Sequence, residues 1–147
     1  LDSILNRITT NRKNGRNTYI FIDEIYLLFQ HEYSANFLFT LWKRVRKYGA
    51  YCTGLTQNVE DLLQSHTART MLANSEFIIM LNQASTDRIE LAKLLNISEL
   101  QMGYITNVGA GQGLIKVGSN LVPFINKFPK NTKLYKLMTT KPGENEE

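Results

Sequence analysis

Apolar positions along this chain switch between two spacings, and each switch marks an element. Leu1, Ile4, Leu5 and Ile8 recur at helical intervals, so residues 1–10 read as a helix. A basic, glycine-containing stretch (11–17) feeds the uninterrupted run Tyr19-Ile20-Phe21-Ile22, which ends in Asp23-Glu24 and predicts a buried strand over 19–23. Ser34 is placed to cap the next helix, whose Phe37, Leu38, Leu41, Trp42, Val45 and Tyr48 make one apolar face. Lys43, Arg44, Arg46 and Lys47 close that helix ahead of Gly49, where cations complement the dipole. Residues 50–57 predict a second strand, 58–65 and 66–74 short helices, and 76–82 a third buried strand.

The later part continues in helices and then changes character. Residues 85–96 are helical by spacing, and Ser98 with Gln101 forms a capping box that opens another helix. From 108 onward two β-like runs meet across Gly118-Ser119-Asn120, a hairpin signal. The chain closes on an acidic tail expected to be disordered. Strands that alternate with helices as continuous apolar runs predict an α/β fold with a parallel sheet covered on both faces. In such sheets chemistry collects at the carboxyl ends of the strands. Asp23, Glu24 and Gln57 all fall at that end.

Composition narrows the class only a little. At 147 residues and 43% hydrophobic the chain can bury a core, and it reads as one domain or a piece of a larger one. A formal charge of +4 is a mild excess of the kind a solvated surface carries. The single cysteine, Cys52, has no internal disulfide partner and reads as a small core residue, not a nucleophile. His31 and His66 have no ligand-like spacing to it, which argues against zinc. No stretch approaches the roughly 18 apolar residues of a membrane span. The sequence starts without methionine on what reads as helix, so a fragment of a longer chain is expected.

The chemistry centres on the acids after the first strand. One carboxylate at such a position can hold hydrated Mg²⁺ while its neighbour orients and deprotonates water, the Walker B arrangement. Two acids there can equally cap the following helix. Gln57 can touch a γ-phosphate and the lytic water, or cap the helix starting at Asn58. Arg46 can serve as an arginine finger or as a dipole partner. A phosphate-binding loop needs G-x-x-x-x-G-K-[ST]. Gly49–Gly54 and Gly113–Gly118 have the glycine spacing, but Leu55 and Ser119 stand at the lysine position, and no glycine in the chain precedes a lysine. The "GAGQG" of 109–113 precedes a β-run instead of a helix and reads as a tight turn or a subunit-edge loop.

In this order, the strand to Asp23-Glu24, the helix, "RKYG" (46–49) and the strand to "LTQN" (55–58) resemble the motor domain of HerA/FtsK-type RecA-like ATPases. "LANSEFIIMLNQ" (72–83), "LLNISELQM" (94–102) and "GAGQGLIKVGSNLVPFINKF" (109–128) narrow the resemblance to the VirB4/TraE family of type IV secretion and conjugation ATPases. The resemblance implies an α/β, partial RecA-like P-loop NTPase domain: a parallel sheet with flanking helices, without the Walker A strand, plus a C-terminal β-hairpin. It implies that residues 1–142 are the C-terminal portion of that domain and 143–147 a tail. It places Mg²⁺ at Asp23 through water, the base at Glu24, and contacts to ATP at Gln57 and Arg46, with Arg46 acting on its own or a neighbouring subunit's nucleotide. "GQG" at 111–113 matches the family's final glycine-rich motif, at a subunit interface. Implied partners are the rest of the same protein, further copies in a hexamer and the membrane components of the channel, with DNA contacted indirectly. The implied location is cytoplasmic, peripheral at the inner face of the membrane. A chain without Walker A is expected to be inactive alone. The alternatives are a coupling-protein or HerA/FtsK-type DNA translocase fragment and a non-catalytic interaction module.

Overall fold

A computed structural model describes residues 2–139, and the acidic tail lies outside the described residues. The chain divides into two units, 1–76 with 86–96, and 77–85 with 97–147.

The first unit is built around two parallel strands. Helix α1 (Asp2–Lys13) runs further than its apolar spacing predicts, taking in the start of the expected loop. Strands β1 (Thr18–Ile22) and β2 (Ala50–Gly54) pair in parallel from Thr18↔Ala50 to Ile22↔Gly54. Between them lies α2 (Glu32–Arg44), followed by a 3-10 turn over Val45–Tyr48 that Gly49 ends in the left-handed conformation. The N-cap of α2 is His31, not Ser34. The Ser34 hydroxyl instead donates to the carbonyls of Leu28 (2.6 Å) and His31 (3.0 Å) from inside the first turn.

Helices α3 (Val59–Gln64), α4 (His66–Ala73) and α5 (Ser85–Leu95) complete this part of the chain. Asn58 caps α3 and Ser65 caps α4, each accepting a backbone N–H. Asn96, in the left-handed conformation, ends α5.

The helices pack on one face of the two-stranded sheet. Ile8, Leu41, Val45 and Ala50 form one cluster with Ile20 and Cys52, and Ile25, Leu38, Leu62, Ala68 and Met71 form another with Ile22 and Trp42. On the other face Tyr19 stacks on Tyr51 with centroids 5.2 Å apart, and Phe21 is 71% exposed. The expected cover on both faces is therefore absent among the described residues. Tyr19 and Phe21 made the run look uniformly apolar, while the backbone alternates their side chains away from Ile20 and Ile22.

The third strand does not join this sheet. In the second unit β3 (Phe77–Met80), β4 (Gln112–Val117) and β5 (Asn120–Ile125) form an antiparallel sheet in the order β3-β4-β5. The β4–β5 turn is the expected hairpin, with Gly118 at positive φ. Strand β3 buries Ile78 and Met80 and exposes Phe77 and Ile79, the alternation of a half-covered antiparallel strand. Leu114 on β4 and Ile105, in the 3-10 turn after α6 (Glu99–Met102), are fully buried. A last short helix, α7 (Lys133–Met138), is capped by Thr132. Among the described residues no helix is long and apolar enough to cross a membrane.

Candidate active site

The two acids leave β1 on a sharp, left-handed turn. Glu24 has φ 47° and ψ 47°, a conformation that costs a non-glycine residue about 1–2 kcal/mol. The turn is held from both sides: the Leu55 N–H donates to the Ile22 carbonyl (2.8 Å) and the Ile25 N–H to the Leu55 carbonyl (2.9 Å). The segment after β2 is thereby fastened against Asp23-Glu24. Gly54 leaves room for the Ile25 side chain at this junction, since a Cβ there would stand 2.6 Å from Ile25 Cδ1. Ile25 is in turn buried among Leu38, Leu62 and Met71. The core thus sets the strained turn in place.

The two carboxylates have different surroundings. Asp23 is exposed, and its Oδ1 accepts the Glu24 N–H at 3.0 Å. Glu24 Oε2 is buried and has no hydrogen-bond partner. Glu24 sits at the N-cap of the following 3-10 turn, yet its side chain makes no capping bond. That removes the capping explanation for Glu24. A buried carboxylate oxygen without a partner costs about 1–3 kcal/mol or more, and such an atom calls for a group that completes it.

Gln57 lies on the segment that is fastened to this turn and is exposed, with no side-chain hydrogen bond among the described residues. The cap of α3 is Asn58, whose Oδ1 accepts the Asp61 N–H (3.0 Å) and whose Nδ2 donates to Asp61 Oδ2 (2.7 Å). Gln57 is therefore not the cap. Asp23, Glu24 and Gln57 come to one end of the sheet.

Arg46 stands at the other end. It lies in the 3-10 turn that leads into β2, where the Thr18 N–H donates to the Gly49 carbonyl at 3.0 Å. At about 3.3 Å per residue, five-residue strands set that end roughly 15 Å from the acids. Arg12, Lys13, Arg16, Lys43, Arg44 and Lys47 belong to the segments that meet there, and Arg12 lies over the Tyr48 ring, 5.3 Å from its centroid.

The residues present fit one half of a Mg-nucleotide site. No three His, Cys, Asp or Glu groups gather as a metal cage among the described residues. Asp23 would then be the single carboxylate that holds Mg²⁺ through water, which suffices when water and phosphates supply the ion's ligands. Nothing in the sequence supplies the phosphate cradle, because the glycine-lysine pair is missing.

The "GAGQG" segment has a backbone explanation. Gln112 Oε1 accepts the Gly109 N–H (3.2 Å) and the Gln112 N–H returns to the Gly109 carbonyl (3.1 Å), closing a tight turn. A Cβ on Gly111 would collide with the Asn126 carbonyl oxygen, and one on Gly113 with that of Met80. Cys52 is a half-buried residue of β2, and burial pushes its thiol up to about 11, so it stays protonated at neutral pH and acts in packing. A groove of about 390 Å³ between α1 and the outer edge of β1, lined by Ile4, Arg7, Tyr19 and Phe21, is separate from the acids.

The sequence reading missed the strained backbone of Glu24, for which an acidic pair after a strand gives no signal. Comparison with known proteins bears on the family and the fold. The family model described as the TraG P-loop domain matches residues 3–137. The structure of VirB4 of Thermoanaerobacter pseudethanolicus is similar at a TM-score of 0.73 and 25% identity, over 82% of this chain and 34% of that one. The chain thus spans about a third of the length of the VirB4 it matches. No curated protein matches.

Proposed function

Since the chain belongs to the TraG P-loop domain family, we propose that it carries the metal-and-water half of an ATP site in a VirB4-like ATPase of conjugation and type IV secretion. The observation that carries this reading is Glu24, a buried carboxylate oxygen without a partner on a strained residue at the carboxyl end of a parallel strand. Such strain persists where the surroundings enforce it, typically at reacting positions.

Asp23 would hold Mg²⁺ through water, and the bound ion would supply neutralisation of charge on the phosphates of ATP. Glu24 completes its bonding with the attacking water and takes its proton. Gln57, free to swing from the segment after β2, contacts the γ-phosphate. The loop that grips the triphosphate belongs to another part of the same protein, so this chain alone is expected to turn over no ATP. Arg46, roughly a strand's length away from the acids, reaches the nucleotide of a neighbouring copy in a ring, a hexamer on the family's pattern. The assembled protein works at the cytoplasmic face of the membrane with the components of the channel.

The cations around Arg46 support a second reading, a DNA translocase of the same group whose backbone contacts lie on this end of the sheet. Salt-dependent DNA binding by the full-length protein would favour it.

Hydrolysis by the full-length protein tests the main reading. Glu24→Gln is expected to lower turnover at least about a hundredfold with Mg-ATP still bound. Turnover at the parent rate would show that Glu24 is not the base.

A further inference from the structure

The second unit combines an unusual charge pattern with an apolar surface. Between Glu99 and Glu144 the sequence has no acidic residue, and its charged residues there are Lys116, Lys127, Lys130, Lys133, Lys136 and Lys141. Four of these recur at every third position, 127 to 136. They lie on a segment with defined shape: the Thr132 hydroxyl donates to the Pro129 carbonyl (2.9 Å) and accepts the Tyr135 N–H (3.2 Å), which starts α7. On that helix Leu134, Leu137 and Met138 are spaced i, i+3, i+4 and are 57%, 72% and 74% exposed. Lys127, Lys130, Lys133 and Lys136 are exposed beside them.

We infer that residues 127–138 form a docking surface for an anionic lipid bilayer. Lysines at a negatively charged leaflet gain electrostatic attraction, and an apolar stripe beside them gains by entering the boundary between headgroups and acyl chains. Nucleic acid would use the lysines but has no partner for Leu134, Leu137 and Met138. Stacking of bases would need a free aromatic platform. Tyr135 is instead stacked on Phe128 (centroids 6.3 Å apart) with Lys130 over its ring. The inference deepens the membrane-peripheral placement proposed above and rests on it only for the sidedness. The surface itself is read from this segment, and ATP hydrolysis plays no part in its test.

The experiment is co-sedimentation of the 147-residue chain with phosphatidylcholine vesicles, with and without phosphatidylglycerol. Binding is expected to be at least about tenfold stronger on the anionic vesicles, given about fivefold per lysine, and to weaken as salt rises. Replacing Lys127, Lys130, Lys133 and Lys136 together by Gln should remove that preference. Leu137→Ser with Met138→Ser, at positions too exposed to threaten folding, should lower binding several-fold while leaving its salt dependence. Circular dichroism confirms that each variant is folded. Equal binding to neutral vesicles, no vesicle binding, or unchanged binding by the lysine variant would overturn the inference. Binding of single-stranded DNA that the lysine variant loses, with no vesicle binding, would replace it by a nucleic-acid surface.

Discussion

Glu24 and Gly113 show how differently a single residue can be constrained. Glu24 bears a conformational cost and an unpartnered buried oxygen, and neither improves packing. Gly113 has the opposite character, because its missing side chain is what lets β4 lie against the Met80 carbonyl. Gly113→Ala is therefore expected to destabilise the chain by about 2–3 kcal/mol, the scale of an overpacked site. Urea unfolding would measure it, and a change under 0.5 kcal/mol, the scale of a neutral surface substitution, would mean that the strands separate without cost. The glycine-rich stretch was legible as a turn from its composition. Which carbonyl each glycine meets was not, because those partners lie 15 to 33 positions away in the sequence.

At the scale of elements, the readings that held were the ones with short-range causes. The capping box forms as its sequence predicts, with the Ser98 N–H donating to Gln101 Oε1 (3.0 Å) and the Gln101 N–H to Ser98 Oγ (3.3 Å). Ser98→Ala should cost about 1 kcal/mol, read as a lower melting temperature or denaturant midpoint. Equal stability would imply that α6 is held by packing alone. The readings that failed had separate causes. Ser34 looked like a cap because only its residue type was visible, whereas the chain enters α2 at His31. Helix α7 went unseen because six residues, Lys133–Met138, offer too little periodicity to separate from a loop. Strand β3 was found in place, but a short apolar run does not state which neighbour it will choose or in which direction.

Across the whole molecule the most consequential feature is a sheet with one face bare. Tyr19, Phe21 and Tyr51 are 65%, 71% and 51% exposed on the side away from α2, and the outer edge of β1 is unpaired among the described residues. An apolar face beside an open edge promotes association. Phe21→Lys should accordingly reduce concentration-dependent light scattering of the isolated chain. It should shift the melting temperature little, since Phe21 buries so little surface. Unchanged scattering would place the sticky surface elsewhere. By itself the sequence determined the elements other than α7, the acids that end β1, the capping box and the lack of a glycine-lysine pair, because each depends on residues a few positions apart. Tertiary structure decided the rest. It fixed the face of the parallel pair that is covered, the sheet that β3 joins, the carboxylate oxygen left without a partner and the separation of Arg46 from the acids. Those outcomes follow from pairings between segments that are distant in sequence, and hydrophobic patterning leaves such pairings open.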